Sequence, residues 1–128
     1  MAHEEEVWTF VARDVAEVAA VRRHIGADLR AQGVSSDCVD DLVVMAGELM
    51  SNVMRHTTST ARIVLEIDPA LLRIAVGDDS RDQPWMQPQD PTRIGGNGIR
   101  IVDHLSDSWG TTLHAGNGKD VWFTLHPW

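Results

Sequence analysis

Glu48 and Asn52 stand four residues apart in a stretch whose apolar residues recur at helical spacing, so both side chains leave one face of a helix. A carboxylate that accepts protons beside an amide that both donates and accepts can build a polar site. Glu48, Asn52 and His56 flank the apolar stripe Val39, Leu42, Val43, Ala46, Leu49 and Val53 rather than opposing it. They therefore face the edge of a core, where a cleft would lie. Further along come Asp78 at the end of a strand-like run, Gly96-x-Gly98 at the start of a helical pattern, and Lys119 in a hairpin. Each has a plainer reading alone: a solvated helix face, a turn, a loop, a hairpin charge. Their order together is what chance does not readily produce.

Several familiar sites are excluded. Gly116-Asn117-Gly118-Lys119-Asp120 is not a P-loop, because Leu113 stands where the first glycine belongs and Asp120 where serine or threonine must follow the lysine. Gly96-Asn97-Gly98 lacks the third glycine and the βαβ unit of a dinucleotide fingerprint. The six histidines form no His-Glu-x-x-His, and there is no Gly-x-Ser-x-Gly elbow.

The bulk properties narrow the field. At 128 residues the expectation is one domain, 1–128, with a real core. A formal charge of −8, with only eleven Lys and Arg spread along the chain, argues against direct nucleic-acid binding, which needs clustered cations. One cysteine, Cys38, excludes an internal disulfide framework and suits a reducing compartment. The acidic start is unlike a secretory signal and no apolar run approaches membrane-spanning length, so the chain reads as soluble, cytoplasmic and free of membrane contact.

The elements that must position these residues can be placed in order. Val7 to Val11 reads as a short strand, and Arg13-Asp14 starts a helix from Val15 to Gln32 that Gly33 terminates. Ser35-Ser36-Asp37 caps a second helix running to about His56, which would cap its end, and Thr57 to Ser59 break it. Ala61 to Ile67 and Leu71 to Val76 form an antiparallel pair across Asp68-Pro69-Ala70. A long polar loop, Asp78 to Gly96, precedes a helix from Gly98 to Leu105, and Trp109 to Leu113 with Val121 to Leu125 make a last hairpin. This predicts an α+β two-layer sandwich: a mixed, mostly antiparallel sheet covered by helices on one face.

The boxes Glu48-Leu49-x-x-Asn52-x-x-x-His56, Val76-x-Asp78-x-Ser80, Gly96-x-Gly98-Ile99-x-x-Val102-x-x-Leu105-x-x-x-Trp109-Gly110 and Gly118-Lys119-x-Val121-Trp122-Phe123 resemble those of the histidine-kinase-type (GHKL) ATPase superfamily. Within it they resemble most the stand-alone anti-sigma-factor serine/threonine kinases of bacteria. The resemblance runs over nearly the whole chain from the first helix, where Arg22 falls at the place of an arginine that the family uses at partner surfaces. One departure is that Ser80-Arg81-Asp82 follow Asp78 where the superfamily often has glycines.

The resemblance implies ATP and Mg²⁺ as cofactors, with Asn52 as metal ligand and Glu48 as the catalytic base. Asn52, Asp78, Gly96, Gly98, Ile99 and Lys119 would line the nucleotide site, and Ser80 to Gly95 would be its lid. The chemistry suits that reading. Mg²⁺ takes few protein ligands beside phosphate oxygens, so one carboxamide oxygen suffices. Glu48, one turn away, could orient or deprotonate an attacking hydroxyl. Asp78 would accept from the adenine amino group and disfavour the carbonyl of guanine. Gly96 and Gly98 let backbone approach phosphates before a helix N-terminus.

The implied function is a kinase that binds a sigma factor and phosphorylates an anti-sigma-factor antagonist. The alternative, from another class, is a non-catalytic ATP-dependent protein-interaction module. Holding both Glu48 and Asn52 favours the enzyme, because a binder needs no base. Pairing of two copies as a homodimer stays open.

Overall fold

A computed structural model describes residues 6–57, 60–79, 98–115 and 118–127. Its elements are β1 (Glu6–Ala12), α1 (Val15–Ala31), α2 (Ser36–His56), β2 (Ala61–Ile67), β3 (Leu72–Asp78), α3 (Gly98–Leu105), β4 (Ser108–Leu113) and β5 (Lys119–Leu125). Local chemistry sets the helix ends. The Asp14 carboxylate accepts from the Glu17 amide at 2.8 Å, and the Glu17 carboxylate accepts in turn from the Arg13 amide at 2.9 Å. Gly33, at φ +86°, turns the chain out of α1 with its amide on the Arg30 carbonyl, a conformation that costs glycine little. Ser35 Oγ then accepts from the Cys38 amide at 3.3 Å to open α2. The far end of α2 is closed by Thr57 rather than by His56: both the amide and the hydroxyl of Thr57 donate to the Val53 carbonyl, while His56 is exposed.

The sheet order is β1-β2-β3-β5-β4, and every neighbouring pair among the described residues is antiparallel. The expected mixed character is therefore not found, for a topological reason. The crossing from β3 through α3 brings β4 back in the direction of β3, but β5 inserts between them and pairs with both. Among the described residues, no two parallel strands become neighbours.

Strand alternation decides which face is covered. Phe10, Ile63, Val76 and Val121 stand opposite one another across four strands, as do Trp8, Leu65, Ile74 and Phe123. Helix α2 packs on this face against β2, β3 and β5, and α1 packs against α2 and β1. Ile25, Leu29, Leu42, Met45, Met50, Ile63, Leu65, Ile74 and Phe123 are fully buried there, each Leu or Ile contributing about 1.5–3 kcal/mol. Val15, expected on the apolar stripe of α1, is 76% exposed in the first turn; burial on that helix begins at Val18.

The opposite face carries no helix among the described residues, and its side chains differ accordingly. Arg62, Glu66, Arg73, Asp120 and Trp122 stand on it, with the Arg73 guanidinium 5.3 Å from the Trp122 ring centre. Among the described residues, no helix is long and apolar enough to cross a membrane.

Candidate functional site

Helix α2 delivers Glu48 and Asn52 one turn apart, both half-buried, to the point where α3 begins. A Cβ built on Gly98 would lie 3.1 Å from Asn52 Nδ2, 3.2 Å from Glu48 Cβ and 3.4 Å from Glu48 Oε2. Any side chain at Gly98 would push against both residues, so the first turn of α3 can rest on them only because that position is bare. Ile99 and Val102, both buried, anchor α3 in the core and fix this approach. Among the described residues the Glu48 carboxylate has no hydrogen-bond partner, which leaves it able to take a proton.

Asn52 is engaged by a residue that the motif reading did not single out. Arg55 Nη2 donates to Asn52 Oδ1 at 2.5 Å. The signal was present in the sequence as a basic residue three places on, which faces the same side of a helix. Asn52 offers a carboxamide oxygen of the hard type that Mg²⁺ takes beside phosphate oxygens. The described residues contain no cluster of three or more His, Cys, Asp or Glu able to hold a metal ion.

The second part of the site lies at the end of the covered sheet face. Asp78 follows Leu72, Ile74 and Val76 on that face and stands directly opposite Lys119 across the β3–β5 pairing. Lys119 Nζ donates to Asp78 Oδ1 at 3.0 Å and to Oδ2 at 3.1 Å, and the two residues are only 6% and 4% exposed. Lys119 was expected in a hairpin turn; it is instead the first residue of β5, because the ladder with β3 continues to the last residue of that strand. An ion pair this deep is held together by mutual need, since either charge alone would be desolvated without compensation.

Arg22 is exposed on α1, yet its stem crosses to α2. A Cβ on Gly47 would lie 2.9 Å from both Arg22 Cδ and Nε, which places the arginine flat over the residue next to Glu48. It lines a groove between the two helices together with Arg23, Gly26, Arg30, Val43 and Val44. Gly96 and the lid expected from Ser80 to Gly95 lie outside the described residues. The structure thus joins Glu48, Asn52 and Gly98 in one cluster and Asp78 with Lys119 in another, with Arg22 on the far side of α2.

The family model for the histidine kinase-like ATPase domain matches residues 11–125. In structure the chain is similar to the RsbU and RsbW domains of Rv1364c from Mycobacterium tuberculosis, with a TM-score of 0.71 at 13% sequence identity. That likeness covers 94% of this chain and 32% of the other, so this chain spans about a third of its neighbour's length, and at such identity the likeness is one of fold. No curated protein matches in sequence. The match over nearly the whole length, on a sheet and helices arranged as those motifs require, shows that the chain belongs to the histidine kinase-like ATPase domain family.

Proposed function

We propose that the chain acts as a single ATP-binding domain that transfers the γ-phosphoryl group of ATP to a serine or threonine hydroxyl of a partner protein. The observation that carries this reading is the convergence of Glu48 and Asn52 on the bare start of α3. Backbone amides of a first helical turn favour phosphate, and an unencumbered carboxylate beside them can take the proton of the attacking hydroxyl. Asn52 Oδ1 is the group that would hold Mg²⁺, whose charge offsets that developing on the phosphate oxygens when it is bound. Asp78 accepts from the 6-amino group of adenine. Partner recognition falls to the groove of Arg22 and Arg23, whose charge suits an acidic surface, with Arg30 in the same groove held by Asp40 at 2.9 Å. By the resemblance of its motifs the partners are a sigma factor and an anti-sigma-factor antagonist, and the likeness to a protein with an RsbW domain supports that direction.

One observation favours the interaction-module reading. Arg55 occupies the Asn52 oxygen, and a chain that kept this contact with nucleotide present would bind ATP without placing a metal there. Labelled ATP, Mg²⁺ and a small acidic antagonist protein separate the two. The wild-type chain is expected to label the antagonist, and Glu48→Gln to bind ATP nearly as well while labelling about 10²-fold more slowly. Transfer unchanged in Glu48→Gln, or ATP binding indifferent to Mg²⁺ with no labelling at all, would leave the module.

A further inference from the structure

Arg55 stands in the last turn of α2, where an arginine ordinarily bonds the terminal carbonyls of its helix. It does something else here. The Val53 carbonyl is taken by the amide and hydroxyl of Thr57, and Arg55 reaches back along the helix so that Nη2 donates to Asn52 Oδ1 at 2.5 Å. The side chain is exposed and forms no ion pair among the described residues, in a chain whose Asp and Glu outnumber its Lys and Arg by 19 to 11. A guanidinium with acidic partners available in the chain thus settles on a neutral carboxamide.

The contact orients Asn52. A carboxamide has an oxygen that accepts and a nitrogen that donates, and a half turn about its last bond exchanges them. With Oδ1 held by Arg55, Nδ2 faces α3: it is the Asn52 atom that a Cβ on Gly98 would meet, at 3.1 Å. An NH₂ group directed at the start of α3 suits a phosphate oxygen and not a cation. The oxygen that could ligate a metal is turned to a guanidinium, whose positive charge repels a second cation on the same atom. Asn52 is therefore set in the orientation that refuses metal. We propose that Arg55 is a positioning residue that latches Asn52 against metal until a nucleotide arrives. Arg55 holds the carboxamide oxygen in the nucleotide-free chain, moves its guanidinium to a phosphate group of the bound nucleotide, and so frees Oδ1 to turn toward the cation. The exchange runs in that direction because a guanidinium can bond a phosphate in two places and against full negative charge, which a neutral amide oxygen does not match. The inference rests on the reading of Asn52 as the metal ligand. Its consequence is an order of binding: the cation enters with the nucleotide or after it.

Nuclear magnetic resonance on the full chain reads the latch directly, with Mn²⁺ as a paramagnetic substitute for Mg²⁺ that broadens nearby resonances. In the wild type, metal-free ATP is expected to shift the Arg55 Nε and Asn52 Nδ2 resonances, while adenosine, which has no phosphate, leaves that of Arg55 in place. Without nucleotide, Mn²⁺ is expected to broaden the Asn52 amide of Arg55→Met at a concentration about tenfold lower than the wild type needs, the scale of one hydrogen bond to a charged group. This difference should persist at about 0.3 M salt, which screens the general loss of a surface charge but not the occupancy of a single atom. Equal broadening of Asn52 in the two chains overturns the latch, as does a difference that salt abolishes or an Arg55 resonance that ATP leaves unmoved. If Mn²⁺ fails to broaden Asn52 in either chain even with ATP present, the metal-ligand reading beneath the proposal fails instead.

Discussion

Two consecutive aspartates end up in opposite circumstances. Asp78 pairs with Lys119 at 3.0 Å on the covered face of the sheet, and Asp79 pairs with Arg62 at 3.1 Å in the open. The distances differ by only 0.1 Å, but the side chains of the first pair are 5% and 8% exposed and those of the second 67% and 47%. Water screens the outer pair and competes for both its partners, so its net worth is about 0–1 kcal/mol. The inner pair has given up hydration on both sides, and its attraction does little more than offset that loss. Separation between charged atoms therefore says little about what an ion pair does; depth decides.

The sharpest way to break this contrast is to remove one partner from each pair. Lys119→Met is expected to lower stability by about 3–5 kcal/mol, read from the denaturant midpoint, because it strands a carboxylate in the interior. Adding Asp78→Asn to it should recover much of the loss, since no charge then remains buried. A Lys119→Met change that costs no more than a surface substitution would mean that water reaches the pair. On the outer face, Arg62→Ala is expected to shift stability by less than about 1 kcal/mol, with the difference shrinking further as salt is raised. The smallest effect belongs to Cys38, which is intermediate in depth. Burial, and behind it the charges of Asp41 and Asp107, push its thiol above the ordinary value. The folded chain thus holds the thiol proton more tightly than the unfolded chain. The associated stability is complete below the unfolded value and lost as pH rises through the folded one. Alkylation by iodoacetamide should accordingly be slow at pH 7.5 and accelerate only above about pH 8.5, later than for a free thiol.

The local devices of the fold were readable in the sequence because they act over a few residues. Asp14, Gly33 and Ser35 bound their helices as capping chemistry requires, and Val39, Leu42, Ala46, Leu49 and Val53 are buried as the stripe on α2 demands. Glu48, Asn52 and Gly98 could be singled out because two share a helix face and the third opens a helix. What could not be read were contacts set by register between distant strands. That Lys119 meets Asp78 depends on β5 pairing with β3 rather than only with its hairpin partner β4, a choice made by the crossing through α3. The start of β3 shifted for a more local reason. Asp68 accepts from the amides of Ala70 and Leu71 at 2.8 and 2.7 Å, which keeps Leu71 in the turn and lets the strand begin at Leu72. Arg55 was missed because an arginine in the last turn of a helix has an ordinary explanation in the helix dipole, and nothing in its spacing favours Asn52 over solvent.

The arginine lying over Gly47 ties together two places that the chain order keeps apart. While Arg22 crosses the helix pair at that point, a methyl group at position 47 would meet its Cδ and Nε at 2.9 Å and displace that side chain; a shorter residue at position 22 would leave the space open. Mutational drift at these two sites is therefore not independent. A lineage that lost the arginine could admit alanine or serine beside Glu48, and one that first enlarged position 47 would lift the arginine off the helix, so related sequences should show glycine at the one wherever a long side chain stands at the other.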